Sequence, residues 1–437
     1  AYLSGDVEKI VRSINKEGKK QWEDIPEHDR SGRRMQASSM NFGSRLYNIN
    51  RQFLMAIKTE DAIECALNDL SSGRKPVIAV ENTGESLLKQ VVYKRVGVDD
   101  LEREQQDLKM LGQLDDSQKE RLDWLDKHIK GRLNMIVLDE PPQFRELLEI
   151  MLDRIACIKV QGRYGDISYS KPESKEYADN EDYIRKKIQE FPDLPLSPID
   201  VMKKSLAAYG YSVAEVSGRT SSLTPNPLKP DTWNLNFHAK SDAVANVAGF
   251  QNGRHDAIII TRSGSTGISL HATDRFEDSD IRQRNFIVLQ KAANIAEFLQ
   301  WMGRVNRKDQ VVPPIITSLE SGLPAELRLT MMHNAKLRKL SANTTSNRNN
   351  ANAEEEMYDL LNDVGDTVAL EWLTDNPIMA SQLDIALPEG DEELLNVRSN
   401  QNCPYINKLL GRLMMVNVAT QEDILKKLSG RFAEKIE

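Results

Sequence analysis

Cysteine is scarce in this chain, and the three that occur, Cys65, Cys157 and Cys403, lie far apart in the sequence. No CxxC pair is present, which excludes a zinc ribbon of the usual spacing and favours reduced thiols in a cytosolic setting. No apolar run approaches the roughly 20 residues that are needed to cross a bilayer, and the first ten residues do not form a signal peptide. We therefore expect a cytoplasmic protein with no membrane partner.

The phosphate-binding pattern GxxxxGK[ST] is also missing from all 437 residues. An apolar run that ends in Asp139 and Glu140 resembles the strand that carries the magnesium carboxylate of P-loop ATPases. Without the loop that cradles the phosphates, we interpret this run as structural, with Pro141 and Pro142 in the first turn of a helix. We predict no metal site in this chain, and no ATP hydrolysis by the chain alone.

Positive charge is not in excess, since 58 Lys and Arg stand against 66 Asp and Glu, for a net charge of -8. A basic coat is thereby excluded, and any contact with nucleic acid must come from a local groove. The length and the 40% hydrophobic content permit a sizeable core in two or three units. The chain lacks an initiator Met, which suggests a processed product or a piece of a longer protein.

Five short apolar runs rich in β-branched residues are predicted to be strands, and helical patterns lie before or between most of them. The runs cover residues 76–80, 212–217, 257–261, 286–290 and 315–319. The predicted fold class is therefore α/β, with a parallel sheet flanked by helices.

Three regions are expected along the chain. Residues 1–60 form a partly helical lead-in, 61–343 the α/β domain, and 344–437 a polar linker with a helical extension. A helical insertion at about 91–196 interrupts the domain, and its first part is predicted to be a helical hairpin. That hairpin is either an arm for a partner or nucleic acid, or a packed insertion with a solvated face, which its alternating charges favour.

Glycine and hydroxyl residues follow two of the predicted strands. The turn Ser263-Gly264-Ser265-Thr266-Gly267 comes after the third strand and offers backbone N–H groups and small side chains to a phosphate. The turn Ser217-Gly218-Arg219 comes after the second strand. Carboxyl ends of strands are where α/β sheets build their sites, although such turns also serve as ordinary connections.

The stretch EFLQWMGRVNRKDQ carries Gln300, Arg304 and Arg307 at i, i+4 and i+7, which places them on one face of a helix. Planar, permanently charged guanidiniums suit phosphoryl oxygens because they donate two hydrogen bonds at once. An isolated arginine pair would indicate helix salt bridges. The glycine-rich turn one strand earlier favours a phosphate instead.

The segments SGSTGISLHA, LQWMGRVNRKDQVVPPIITSL and LPAELRLTMMHNAKLRKLSANTTSNR together resemble the second RecA-like domain of superfamily 2 helicases. More specifically they resemble the strawberry notch helicase family with its phage and bacterial antirestriction relatives. The likeness covers about residues 60–348 and extends more faintly into YDLLNDVGDTVALEWLTDNP.

The resemblance implies a role for each motif. Arg304 and Arg307 would be arginine fingers that reach ATP across a cleft, with Gln300 and Gly303 as support. The turn of Ser263, Gly264, Ser265, Thr266 and Gly267 would couple the nucleotide to nucleic acid. Contacts to the nucleic-acid backbone would come from Asn82 and Thr83, in VENTGES, and from Ser217, Gly218, Arg219 and Ser263.

The implied protein is the C-terminal motor half of an ATP-dependent DNA or RNA helicase or translocase. ATP and Mg²⁺ would be bound mainly by a first RecA-like domain, in cis or in trans, and the expected nucleic acid is double-stranded DNA. A bacterial host cytoplasm or a phage particle would be its location. The alternative is a catalytically inactive, helicase-derived module with a structural or DNA-associated role. A GxxxxGK[ST] sequence upstream of Ala1, or on a partner chain, would favour the motor.

Overall fold

The computed structural model describes residues 34–37, 42–110, 115–133, 136–155, 158–161, 167–229, 232–262, 267–275, 278–292, 294–324, 326, 330–331, 360–383, 385–388, 403–413 and 416–436. Up to residue 196 the elements are β1 (Arg34–Ala37), α1 (Phe42–Ile57), α2 (Thr59–Ser71), β2 (Lys75–Val80), α3 (Glu85–Arg95), α4 (Asp99–Met110), α5 (Asp116–Leu133), β3 (Ile136–Leu138), α6 (Phe144–Ile155), β4 (Ile158–Gln161), β5 (Ile167–Ser170) and α7 (Lys175–Gln189). They continue as α8 (Pro198–Ala208), β6 (Val213–Val216), β7 (Ser221–Pro225), β8 (Trp233–Phe237), α9 (Ala243–Gln251), β9 (Ala257–Thr261), β10 (Arg284–Val288), α10 (Ile295–Val305) and β11 (Ile315–Ser318). The last elements are α11 (Asp363–Asp375), α12 (Pro377–Gln382), α13 (Pro404–Arg412) and α14 (Val418–Ile436).

The central sheet contains five strands in the order β11-β10-β2-β9-β6, and every neighbouring pair is parallel. All five predicted strands are present, with bounds that differ from the prediction by at most two residues. Strand β2 lies in the middle and is buried along its whole length, as expected for a parallel strand with helices on both faces. The α/β, RecA-like fold class is therefore confirmed.

Successive residues of each strand point to opposite faces of the sheet, so two separate cores form. One face packs Val77, Ile258 and Phe286 against Phe250 and Trp301. The other face packs Ile78, Ile259 and Ile287 against residues of α2 and α8, and against Met55 of α1. Because Met55 is fully buried there, the α/β unit begins before residue 61, upstream of the predicted boundary.

The insertion contains the predicted hairpin of α4 and α5, joined by Arg121 and Glu104 at 2.7 Å. Leu125 and Ile129 of α5 are buried in a core shared with α3, α6 and β8, which supports the interpretation as a packed insertion. The insertion also carries strands that the sequence did not predict. Strand β3 joins the antiparallel sheet β3-β8-β7, and β4 and β5 join the antiparallel sheet β1-β4-β5.

The C-terminal helices have a core of their own, formed by Met331 and by apolar residues between Leu360 and Phe432. Asp366 of α11 accepts hydrogen bonds from the backbone N–H groups of Tyr405 and Ile406, at 2.7 and 2.9 Å, and so caps the first turn of α13. The predicted helical extension is present, whereas the predicted polar link at 344–359 lies outside the described residues. Within the described parts of the chain, no helix is long and apolar enough to cross a membrane.

Candidate functional site

The predicted site residues collect at one edge of the central sheet. Asn82 and Thr83 follow β2, Ser217 begins the turn after β6, and Gly267 follows β9. Because the strands are parallel, their carboxyl ends lie at the same edge, where α/β proteins bind ligands. Strand β9 pairs with both β2 and β6, so the three turns are neighbours.

The turn after β2 is held in shape by side chains that bind its backbone. Asn82 accepts a hydrogen bond from the Gly84 N–H at 3.0 Å, and Gln290, just after β10, accepts one from the Asn82 N–H at 2.9 Å. Gly84 has φ 68°, and a Cβ there would lie 2.5 Å from the Gln52 amide nitrogen. The positive φ favours glycine at this position, and another residue would be strained and would displace the Gln52 amide. The Asn82 side chain remains exposed.

Arg219, in the turn after β6, is enclosed by carboxylates. Its Nε lies 2.6 Å from Glu215 and its Nη2 lies 2.7 Å from Asp200, and the residue is only 3% exposed. Burial alone would raise the pKa of Glu215, but the hydrogen bond and charge of Arg219, the charge of Lys203 and the hydrogen bond from Ser217 together outweigh it, and the pKa is lowered to about 2. Ser217 is buried as well and donates to Glu215. This geometry favours a structural role for both residues over the predicted contact with nucleic acid.

Glu85, which the sequence analysis did not single out, joins the turns after β2 and β6. One carboxylate oxygen accepts from the Thr220 N–H at 3.0 Å, from the Thr220 hydroxyl at 2.9 Å and from the Ser221 hydroxyl at 2.8 Å. Burial raises the pKa of Glu85, but hydrogen bonds from Lys89, Ser221 and Thr220 prevail and lower it to about 2. The two turns therefore form one unit around an ionised carboxylate.

Of the glycine-rich turn after β9, only Gly267 belongs to the described residues; Ser263, Gly264, Ser265 and Thr266 lie outside them. Gly267 has φ 80°, a conformation that favours glycine. The next carbonyl oxygen, that of Ile268, accepts hydrogen bonds from Arg304 Nη1 at 3.3 Å and from Arg307 Nη2 at 3.1 Å. Both predicted finger arginines thus converge on the residue directly after this turn.

The spacing predicted that Gln300, Arg304 and Arg307 share one helical face, and the structure contradicts this. Helix α10 ends at Val305, and Asn306 is extended with ψ 102°, so Arg307 lies beyond the helix. Its side chain turns back, and Nε donates to the Gly303 carbonyl at 3.1 Å. Gln300 is exposed on the helix. The two arginines therefore converge because the chain leaves the helix after Val305 and the Arg307 side chain turns back, and not because of helical periodicity.

Neither arginine is neutralised locally. Among the described residues, no carboxylate lies within ion-pair distance of Arg304 or Arg307, whose guanidiniums bind only carbonyl oxygens. The Nε of Arg304 is buried and has no hydrogen-bond partner among the described residues. Burial is the main cause that lowers the pKa of Arg304, and the positive charge of Arg307 lowers it further. Guanidinium donors left over in this way suit an anion with several acceptor oxygens.

Comparison with known families shows to which family this chain belongs. A family model described as the C-terminal domain on Strawberry notch homologue matches residues 198–437, which is more than half of the chain. The chain belongs to this helicase C-terminal family.

Whole strawberry notch proteins align over shorter stretches. Strawberry notch homolog 1 from Gallus gallus is 27% identical over 164 residues, which are 36% of this chain and 13% of the chicken protein. The Homo sapiens homolog 1 has the same identity over 11% of its length. The Homo sapiens homolog 2 is 23% identical over 277 residues, 56% of this chain and 20% of that protein. The chain therefore spans a fifth or less of the length of these relatives.

A solved structure, the crystal structure of the C-terminal part of Fun30 ATPase domain, aligns with 60% of this chain and 89% of that chain. The sequence identity is 13% and the TM-score is 0.22.

The strawberry notch match does not cover the whole central sheet. The match begins at α8 and includes β6, β9, β10, β11 and the C-terminal helices. The central strand β2, the turn at Asn82 and the carboxylate of Glu85 all come from upstream of it. Residues before 198 therefore complete the sheet of this strawberry notch domain.

The run that ends in Asp139 and Glu140 is not part of the parallel sheet. It is strand β3, which pairs antiparallel with β8. Asp139 is exposed and lies 3.6 Å from Lys229, and the Glu140 carbonyl accepts from Arg95 at 2.7 Å. These contacts agree with the structural interpretation of this run, but Pro141 and Pro142 precede α6 and do not lie in its first turn as predicted.

Proposed function

We propose that this chain is the C-terminal motor half of a nucleic-acid helicase or translocase, and that Arg304 and Arg307 act on ATP held by a first RecA-like domain. The observation that carries the proposal is the convergence of two guanidiniums, without a carboxylate partner in the described residues, on the Ile268 carbonyl. A guanidinium without a carboxylate partner contributes little to folding stability. It can, however, stabilise the negative charge of a transferring phosphoryl group.

The residues of this chain fit one side of an ATP site. Arg304 and Arg307 would contact phosphate oxygens, and Gly303 would hold Arg307 through its carbonyl, 3.1 Å from Nε. The sequence has no GxxxxGK[ST] loop, so another domain must hold the β- and γ-phosphates. ATP with Mg²⁺, when bound there, supplies the phosphoryl group whose hydrolysis drives movement.

Nucleic acid would bind along the carboxyl edge of the sheet. Among the predicted nucleic-acid contacts that the structure describes, Asn82 is exposed, and Thr83 and Gly218 are half-buried. Arg219 and Ser217 would support the turn from inside. Double-stranded DNA, which the resemblance implied, remains our proposed substrate for the complete motor, and this edge would contact one of its strands.

The test uses the complete assembly, formed by this chain with the P-loop domain of the same protein or of a partner. Arg304→Lys should lower ATP turnover by roughly 10³ to 10⁵, because a lysine lacks the two-donor fork of a guanidinium. Binding of a fluorescent ATP analogue should be nearly unchanged. Arg254→Lys, a substitution of an exposed arginine before β9, is the matched control and should retain turnover.

Wild-type turnover in the Arg304→Lys assembly would remove the finger assignment. If no P-loop domain restores turnover to the unmodified chain, the alternative of a catalytically inactive, DNA-associated module replaces the motor.

A further inference from the structure

The segment 238–241, which follows β8, is tied at both ends to the turn after β6. The His238 N–H donates to the Thr220 carbonyl at 2.8 Å. At the other end, the Ser241 hydroxyl donates to the Ser217 carbonyl at 3.0 Å and accepts from the Ser217 N–H at 3.1 Å. The segment therefore lies directly against the turn that the sequence predicts as a nucleic-acid contact.

Phe237, the residue before this segment, presents an aromatic ring to solvent. It is 43% exposed and is the only phenylalanine so exposed among the residues that the structure describes. Its partner across the β7–β8 pair is Ser221, whose hydroxyl donates to Glu85 at the junction of the two turns. The ring is therefore at the candidate site and, within the described residues, is not stacked on another ring.

The segment 238–241 carries an exposed cation, Lys240, whereas the only cation of the turn Ser217-Gly218-Arg219 is buried. Arg219 is enclosed by Glu215 and Asp200, so its charge is already neutralised. Lys240 is exposed, and no carboxylate in the described part of the chain lies within ion-pair distance of it. His238 is exposed too, with Nδ1 at 2.7 Å from the Ala239 carbonyl. An aromatic ring, an imidazole and an ammonium group thus occur within four residues.

We propose that Phe237, His238 and Lys240 form a binding surface for single-stranded nucleic acid, in which Phe237 stacks on an unpaired base and Lys240 contacts a phosphate. Aromatic rings beside basic groups are the usual platform for single strands, because every base has a face that stacks. In a duplex those faces are covered by neighbouring base pairs. This inference rests on the proposed function, since it assigns a strand type to the same edge of the sheet.

Binding of labelled oligonucleotides to the full 437-residue chain tests the proposal, with a mixed-sequence single strand and the matching blunt duplex as probes. Phe237→Ala should weaken single-strand binding by about tenfold or more. The salt dependence should not change, because no charge is removed. Lys240→Ala should instead reduce the slope of log affinity against log salt by about one phosphate contact. Phe237→Trp should restore binding.

Tyr209→Ala is the matched control. Tyr209 is an exposed aromatic residue, 69% exposed, but it lies before β6, at the opposite edge of the sheet from Ser217. Its substitution should leave both affinities unchanged. Thermal unfolding of each variant checks the fold, and Phe237→Ala should melt with the wild type because the ring is not in the core.

Three outcomes overturn these ideas at different levels. Wild-type chain that binds neither probe overturns the proposed nucleic-acid function as well as this inference. Wild-type binding that Phe237→Ala leaves unchanged overturns only the stacking role. An equal loss on single strand and duplex overturns the assignment to an unpaired base.

Discussion

Glu85 and Thr220 are 135 residues apart in the chain, yet the Glu85 carboxylate accepts both the backbone N–H and the hydroxyl of Thr220, at 3.0 and 2.9 Å. The carboxylate also lies in the first turn of α3, where the helix dipole stabilises a negative charge. This contact makes the turns after β2 and β6 a single body. We therefore expect a displacement of one turn to displace the other.

Glu85→Gln should destabilise the protein in a manner that depends on pH. The pKa of Glu85 is lowered from 4.5 to about 2 in the folded state. The stability that the ionised Glu85 carboxylate gives to the folded state is fully present above the pKa of the unfolded state. It is lost as the pH falls through the pKa of the folded state. The free energy of unfolding should fall by up to about 3 kcal/mol near neutral pH. Urea unfolding of both proteins should show this difference shrinking between about pH 4.5 and about pH 2.

Glu104→Gln is the control, because Glu104 forms an exposed pair with Arg121 at 2.7 Å. Exposed pairs contribute about 0 to 1 kcal/mol. A difference for Glu85→Gln that stays constant with pH would show that its carboxylate is not the stabilising group.

Arg219→Ala should mainly lower the free energy of unfolding, and any loss of nucleic-acid affinity should follow from that. Removal of the guanidinium leaves the buried carboxylate of Asp200 without its ion pair and that of Glu215 with Lys203 alone, at 3.2 Å, which costs about 3 to 5 kcal/mol. Urea unfolding should show that loss, whereas Arg275→Ala, which breaks an exposed pair with Asp309 at 2.6 Å, should cost about 1 kcal/mol or less. A fully stable Arg219→Ala protein with a uniform loss of nucleic-acid affinity would instead restore Arg219 as a backbone contact.

The role of Arg219 shows where sequence reasoning stops. The glycine-arginine turn after a strand was visible in the sequence, but the enclosing carboxylate of Asp200 comes from α8, 19 residues earlier. Pairing between elements decides whether such an arginine faces a ligand or the core. Gln290 and Glu85 were missed for the same reason, since each acts on a turn more than 130 residues away.

Strands were predicted where burial on both faces demands continuous apolar runs. Residues 257–261, AIIIT, are fully buried in β9 and carry that signal clearly. The pair β7 and β8, with sequences SSLTP and WNLNF, is half polar because one face is exposed. The alternation in WNLNF is typical of a strand but covers only five residues, and SSLTP does not alternate. No strand was predicted from this signal, and the pairing of β7 with β8, which bears Phe237, came from the structure.

Asp366→Ala should destabilise the C-terminal helices selectively. The buried carboxylate satisfies two N–H groups at the start of α13, and loss of an N-terminal cap costs about 0.5 to 2 kcal/mol. Because this unit has a core of its own, hydrogen exchange should accelerate in 404–412 and remain slow in β9. Asp375→Ala, which removes an exposed partner of Arg431, is the control. Equal acceleration in β9 would show that the two units unfold together.

The purified chain should fold and yet show no ATPase activity above background, even with DNA or RNA added. Arg304 and Arg307 act on a nucleotide that is already held, and the sequence contains no P-loop lysine to hold the β- and γ-phosphates. Phosphate release from the isolated chain is the measurement, with the same chain plus a P-loop domain as the positive control. Activity that survives repurification and disappears in Arg307→Ala would contradict this expectation. Such activity would mean that the chain holds its own nucleotide site, and the exposed carboxylates of Asp139 and Glu140 would be the first groups to substitute.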